Sequence, residues 1–199
     1  MSTSLRPKIR FALLICFIIF LSPVLLLIQL GYLLRLDFSS AWCQIFSLVP
    51  GIFGLWLRRA YYYTLLNECS GDVSVGFGTL FTKKNIRIAP GVSIGGYCMI
   101  GMCEIGENTL LGSNIDILSG RHQHGKGTGT SLEQRKSDTN IFTTVKIGKN
   151  CWIGNGAIIM NDIGDNCIIG AGSVVVNPIP SNTVAVGNPA KVVRDTTVS

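Results

Sequence analysis

Residues 147–176 read IGKNCWIGNGAIIMNDIGDNCIIGAGSVVV. An aliphatic residue opens each unit of six, followed by Gly or another small residue, two turn formers, a small residue and one variable residue. The same unit stands upstream at residues 88–93 (IAPGVS), 94–99 (IGGYCM), 105–110 (IGENTL) and 111–116 (LGSNID), so the repeat runs from about residue 73 to residue 180. A six-residue period specifies a parallel β-helix. Each hexad supplies one short strand and a corner: the leading Ile, Val or Leu points inward, and Gly, Asn or Asp takes the tight backbone angles of the bend. Three hexads close one triangular coil, and successive coils stack at the strand spacing of about 4.8 Å. A β-sandwich would instead show longer alternating runs with irregular turn spacing.

The repeat also assigns the cysteines. Cys98, Cys151 and Cys167 fall on the fifth, small-residue position of their hexads, which makes them stacked core residues rather than disulfide partners. Cys98 and Cys103 form no recognisable zinc pair, and no other spacing of Cys and His supplies one, so no metal is expected. A reducing, cytoplasmic setting is the simpler expectation for this domain.

Upstream of the repeats the composition changes. Residues 11–34 (FALLICFIIFLSPVLLLIQLGYLL) carry no charge and are long enough to cross the roughly 30 Å hydrocarbon layer as a helix. A cleavable signal peptide is disfavoured because the run is too long and lacks an A-x-A-like site. A second apolar stretch, residues 41–57, is broken by Pro50 and Gly51 and reads as a second span, a re-entrant segment or an interfacial helix. Residues 1–60 hold Arg6, Lys8, Arg10, Arg35, Arg58 and Arg59 against Asp37 alone, a net of +5 out of the chain's +6. By the positive-inside rule both ends of the apolar pair then stay in the cytoplasm, with Tyr61, Tyr62 and Tyr63 at the interface. The expected organisation is a membrane-anchoring helical segment at 1–60, a β-helix domain at 61–180 and a C-terminal tail at 181–199, located at a bacterial inner membrane with the β-helix on the cytoplasmic face.

The remaining residues, 61–199, carry 11 Lys and Arg against 10 Asp and Glu, and no basic stripe with interleaved aromatics is present. Nucleic acid is therefore not an expected partner. Anionic lipid head groups suit the basic N-terminal residues better.

One interruption breaks the repeats. After residues 117–122 (ILSGRH) a polar stretch, 123–144, intervenes before the hexads resume at Val145. A loop of this length leaving a regular scaffold tends to be functional. It begins at the two histidines of the chain, His122 and His124, and a His with a near-neutral pKa is the usual acceptor for a hydroxyl proton.

Residues 86–194, with the ordered run WIGNGAIIMNDIGDNCIIGAGSVVV and the closing VAVGNPAKVVR, resemble the hexapeptide-repeat acyltransferases. The likeness is to the galactoside and maltose acetyltransferase group and the related capsule and O-antigen O-acetyltransferases. The resemblance implies a left-handed parallel β-helix, an all-β fold to which the N-terminal helical anchor is added, and homotrimers with active sites between adjacent subunits. It implies acetyl-CoA as co-substrate, with contacts matching Asn155, Ala171, Lys191 and Arg194. It also implies a catalytic His closing the hexad before the loop, which a gap-free match from Leu111 places at His122. His124 is the reserve, since a two-residue slip keeps the same side of an extended segment. Where relatives usually carry Thr-Lys before the final turn, this chain has Val176 and Asn177, which removes one cofactor contact.

In the chemistry these parts imply, His122 takes a proton from a sugar hydroxyl as it attacks the acetyl thioester and returns a proton to the departing sulfur. Counting rungs from Ile100, Ile105, Leu111 and Ile117 puts Glu104 one coil below His122, as a candidate to orient the imidazole. The apolar N-terminus points to a lipid-linked saccharide of a surface polysaccharide as acceptor. Amino-sugar N-acetylation and a non-catalytic trimeric membrane scaffold are the alternatives. A γ-class carbonic anhydrase needs three zinc-binding His, and this chain has two.

Overall fold

Most hexads deliver the variable sixth residue and the next aliphatic residue as one short strand, the first facing out and the second in, while Ile163 and Ile179 make single bridges. The computed structural model describes residues 5–34, 39–120 and 142–196. Its first coil comprises β1 (Glu68–Cys69), β2 (Ser74–Val75) and β3 (Leu80–Phe81), and its second β4 (Arg87–Ile88), β5 (Ser93–Ile94) and β6 (Met99–Ile100). The third is β7 (Cys103–Ile105), β8 (Leu110–Leu111) and β9 (Asp116–Ile117). After the long loop follow β10 (Val145–Ile147), β11 (Trp152–Ile153) and β12 (Ile158–Ile159), then β13 (Ile168–Ile169), β14 (Val174–Val175), β15 (Thr183–Val186) and β16 (Lys191–Asp195).

Stacking gives three parallel sheets. Sheet A is β1-β4-β7-β10, sheet C is β3-β6-β9-β12-β14, and sheet B runs β2-β5-β8-β11-β13-β15 with β16 added antiparallel at its end. The inward column Ile94, Leu111, Ile153 and Ile169 is buried, as is the column Ile100, Ile117, Ile159 and Val175. This is the expected solenoid of hexapeptide repeats. Burying about a hundred Å² of apolar surface per aliphatic rung stabilises by roughly 2–3 kcal/mol each.

The fourth hexad position sets the corners. Asn150, Asn166 and Asn182 all have left-handed φ, at 55°, 56° and 62°. Asn tolerates that region better than most side chains. The three stack as a ladder, Asn150 Nδ2 donating to Asn166 Oδ1 at 3.2 Å and Asn166 Nδ2 to Asn182 Oδ1 at 2.8 Å. Cys98, Cys103, Cys151 and Cys167 are buried, and the seven cysteines, all described, are free thiols.

Three helices close the N-terminal end: α1 (Leu5–Leu33), α2 (Ser39–Ser47) and α3 (Gly51–Leu65). Residues 41–57 divide at Pro50 and Gly51, where the sequence placed the break, into α2 and α3, and among the described residues only α1 is long and apolar enough to cross a membrane. Two expectations are corrected here. Tyr61 and Tyr62 do not sit at an interface: both are fully buried, Tyr61 Oη donating to Ser39 O at 2.7 Å and Tyr62 packing 4.4 Å from Phe81. Arg58 and Arg59 are not a solvated basic flank. Arg58 donates to Val75 O at 2.9 Å and Val49 O at 2.7 Å, and Arg59 to Val73 O at 2.7 Å. Burial lowers the pKa of both. The carbonyls of the first coil have no strand below them, so the helix that covers them must supply donors. For the same reason α3 runs through the expected boundary at 60 and serves as the base of the solenoid.

Candidate active site

The long loop leaves at the edge between sheets C and A. Ser119 Oγ accepts from Met102 N at 2.9 Å, Ser119 O accepts from Thr143 N at 3.0 Å, and Val145 N returns to Met102 O at 3.0 Å. Gly120 turns with φ 84°, and a Cβ there would collide with Thr143 Oγ1. Phe142, at the re-entry, lies under Lys83 Nζ at 4.4 Å. His122 and His124 lie outside the described residues.

The register pairs Ile100 with Ile117, so the rung that ends in Glu104 lies one coil below the rung that leads toward His122, which itself lies outside the described residues. Lys146 stands opposite Glu104 in the next coil, because the chain departs at Gly120 and Val145 takes the place over Cys103. The Glu104 carboxylate receives Arg87 Nη1 at 3.3 Å, and Arg87 also reaches Glu68 at 3.6 Å. These charges line a groove of about 460 Å³ along sheet A that continues to Asp165 and Ser181.

A second cleft, of about 290 Å³, lies at the edge between sheets B and C and is lined by Trp152, Gly154, Asn155, Gly170 and Ala171. Asn155 Oδ1 accepts from Ser113 N at 2.9 Å, and Asn155 O accepts from Gly172 N at 2.8 Å, so each coil fixes the next. Gly154 leaves room for the Ala171 backbone, which a Cβ at 154 would meet at 2.5 Å. Lys191 pairs with Val186, the last residue of β15, at the same end of sheet B. Arg194 pairs with Val184, at the other end of that strand. Asn155 and Ala171 thus share one cleft, Lys191 stands beyond it at the same end of sheet B, and Arg194 stands further along β16. Trp152 is the residue that hexad reading passed over; it is 58% exposed against this cleft, and its only signal was an aromatic in the variable position.

The bacterial transferase hexapeptide (six repeats) family matches residues 144–177. Nodulation protein L of Rhizobium leguminosarum bv. viciae is 40% identical over 164 residues, 70% of this chain and 80% of that protein. A maltose O-acetyltransferase from Clostridium difficile 630 superposes with a TM-score of 0.67 at 30% identity, over 79% of this chain and 86% of that one. The chain belongs to the hexapeptide-repeat acetyltransferases. This hexapeptide-repeat acetyltransferase is an acyltransferase, and its solenoid is the family's. A galactoside acetyltransferase in complex with coenzyme A shares the fold at 23% identity, with a TM-score of 0.64 over 79% of this chain and 80% of that one.

Proposed function

We propose that this acyltransferase moves an acetyl group from acetyl-CoA to a hydroxyl of a sugar, in a lipid-linked precursor of a surface polysaccharide at the bacterial inner membrane. The observation that carries the reading is the cleft lined by Trp152, Asn155 and Ala171 at one corner of the solenoid, with Lys191, a cation suited to phosphate, paired to Val186 at the same end of sheet B. The fold relative crystallised with coenzyme A supports the same co-substrate.

His122, or His124 two residues on, is the base. It accepts the sugar hydroxyl proton as the C–O bond forms, and the C–S bond then breaks with that proton passing to sulfur. Backbone N–H groups at the corner stabilise the oxyanion. Arg194 is a peripheral cation in this scheme. Within one chain the loop leaves at the sheet C–sheet A edge, whereas the cleft lies at the sheet B–sheet C edge. A site drawn from both edges supports assembly from adjacent copies, as a homotrimer. The helix α1 is long, apolar and largely uncovered, which supports membrane attachment, and the basic residues Arg6, Lys8 and Arg10 at its start support the cytoplasmic side for the solenoid.

The test is acetyl-CoA turnover with saccharide acceptors, together with mass spectrometry of surface glycans with and without the gene. Loss of one acetyl unit from a defined sugar, restored by wild type and not by His122→Ala and His124→Ala together, is the expected result. Unchanged glycans would remove the acceptor, and equal turnover by the double variant would remove the histidines.

A further inference from the structure

One face of α1 packs as a narrow seam. Leu14, Leu21 and Ile28 are buried at seven-residue spacing, and Phe17, Ile18, Val24 and Leu25 are half-buried beside them. That is the stripe of a helix lying along a partner. The partner is α3 together with the first coil: Phe17 packs on Phe53 at 5.3 Å and on Trp56 at 6.2 Å, and Leu14 abuts Gly71, where a Cβ would meet Leu14 Cδ2 at 2.8 Å. Further along, Leu25, Ile28 and Gln29 line a cleft of about 260 Å³ with Thr64, Leu65 and Lys84.

Gly71 and Lys84 both belong to the solenoid side of the interface, yet they meet α1 at points 14 residues apart, which is about 21 Å of helix. A helix touching the end of the solenoid over that length lies across it. A span leaving the domain along the bilayer normal would touch it at one end only. The rest of the circumference is apolar and open: Phe11, Ile15, Ile19, Phe20, Leu26 and Leu30 are exposed, and Ile52 and Phe53 of α3 extend the same layer. Lys8 and Arg10 stand near one end of α1, and Lys83 and Lys84 near the other.

We propose that the three helices form a monotopic platform, with α1 lying in the plane of one leaflet of an anionic bilayer across the base of the solenoid and not crossing the membrane. This rests on the membrane attachment argued above and revises its topology. An apolar layer edged by cations fits acyl chains bordered by anionic head groups, and in-plane helices settle about 5–10 Å into that boundary. The basic residues at both ends of α1 then meet the same surface. A spanning α1 would strip its seam from α3 and uncover Trp56 and the first coil.

The experiment places single cysteines at three exposed positions of the full chain, Lys8→Cys, Ser40→Cys and Lys149→Cys, and labels each with a membrane-impermeant thiol reagent in intact spheroplasts and in inverted vesicles, with the modified peptide assigned by mass. All three labelled from the face that carries Lys149→Cys is the expected result. Ser40→Cys labelled from the opposite face means a spanning hairpin, and Lys8→Cys labelled from the opposite face means a single span; either overturns the proposal, as does a Ser40→Cys that labels from neither face. Recovery of the wild-type protein in the supernatant after alkaline carbonate washing removes membrane attachment itself, and is read separately from the labelling.

Discussion

Lys146 stands opposite Glu104 in adjacent parallel strands of sheet A, with the Glu104 carboxylate turned to Arg87 at 3.3 Å. The pair marks the point where a long loop has been spliced into a stack of coils without breaking its register. It also gives Glu104 an ion-pair partner at the edge of sheet A. Glu104→Gln is expected to leave kcat within about twofold of wild type and to cost less than about 1 kcal/mol of stability, the scale of an exposed ion pair. A tenfold fall in kcat at unchanged KM would place Glu104 in the mechanism.

The cleft at residues 152–171 makes a separate demand. Ala171 is exposed on its wall, so Ala171→Trp fills the space without entering the core. The expected outcome is a rise of about tenfold or more in the KM for acetyl-CoA, the loss of about 1.4 kcal/mol, with an unchanged melting temperature. Lys191→Ala is expected to raise the same KM about fivefold and to weaken its dependence on ionic strength. Steady-state kinetics at two salt concentrations reads both.

The asparagine ladder is a stability element. Asn166→Ala removes two side-chain hydrogen bonds and leaves alanine at a φ of 56°, for an expected loss of about 2 kcal/mol. Asn166→Gly keeps the backbone comfortable and is expected to cost clearly less. Denaturant unfolding distinguishes the two.

The buried thiols predict an alkaline limit. Burial pushes Cys103 up to about 12 and Cys151 to about 11, from an ordinary 9.0. Above pH 9 the unfolded chain loses these protons while the folded chain keeps them, so stability is intact below that pH and falls as pH rises toward 11–12. Melting temperatures measured from pH 8 to pH 11 are expected to decline, and Cys151→Ala is expected to flatten the decline.

Much of the fold was legible in the hexads. Leading Ile and Val residues faced inward, Cys98, Cys151 and Cys167 packed in the core, and Asn at the fourth position took left-handed φ, because each rung repeats the same local geometry. Legibility failed where the repeat stopped. Tyr61, Tyr62, Arg58 and Arg59 looked like a membrane border, yet Tyr62, Arg58 and Arg59 donate to carbonyls of the first coil that only a neighbouring element can satisfy, while Tyr61 donates to Ser39 O of α2.

The six-residue period by itself determined the solenoid, its inward columns and the place of the interruption, because a helical stack makes neighbours of residues a fixed number of positions apart. Only the tertiary structure decided which charge faces Glu104, which residues join Asn155 and Ala171 at a corner, and that α1 lies across the base. Those depend on where the chain re-enters after a loop and on how a helix meets the end of a stack, and neither has a period to be read from.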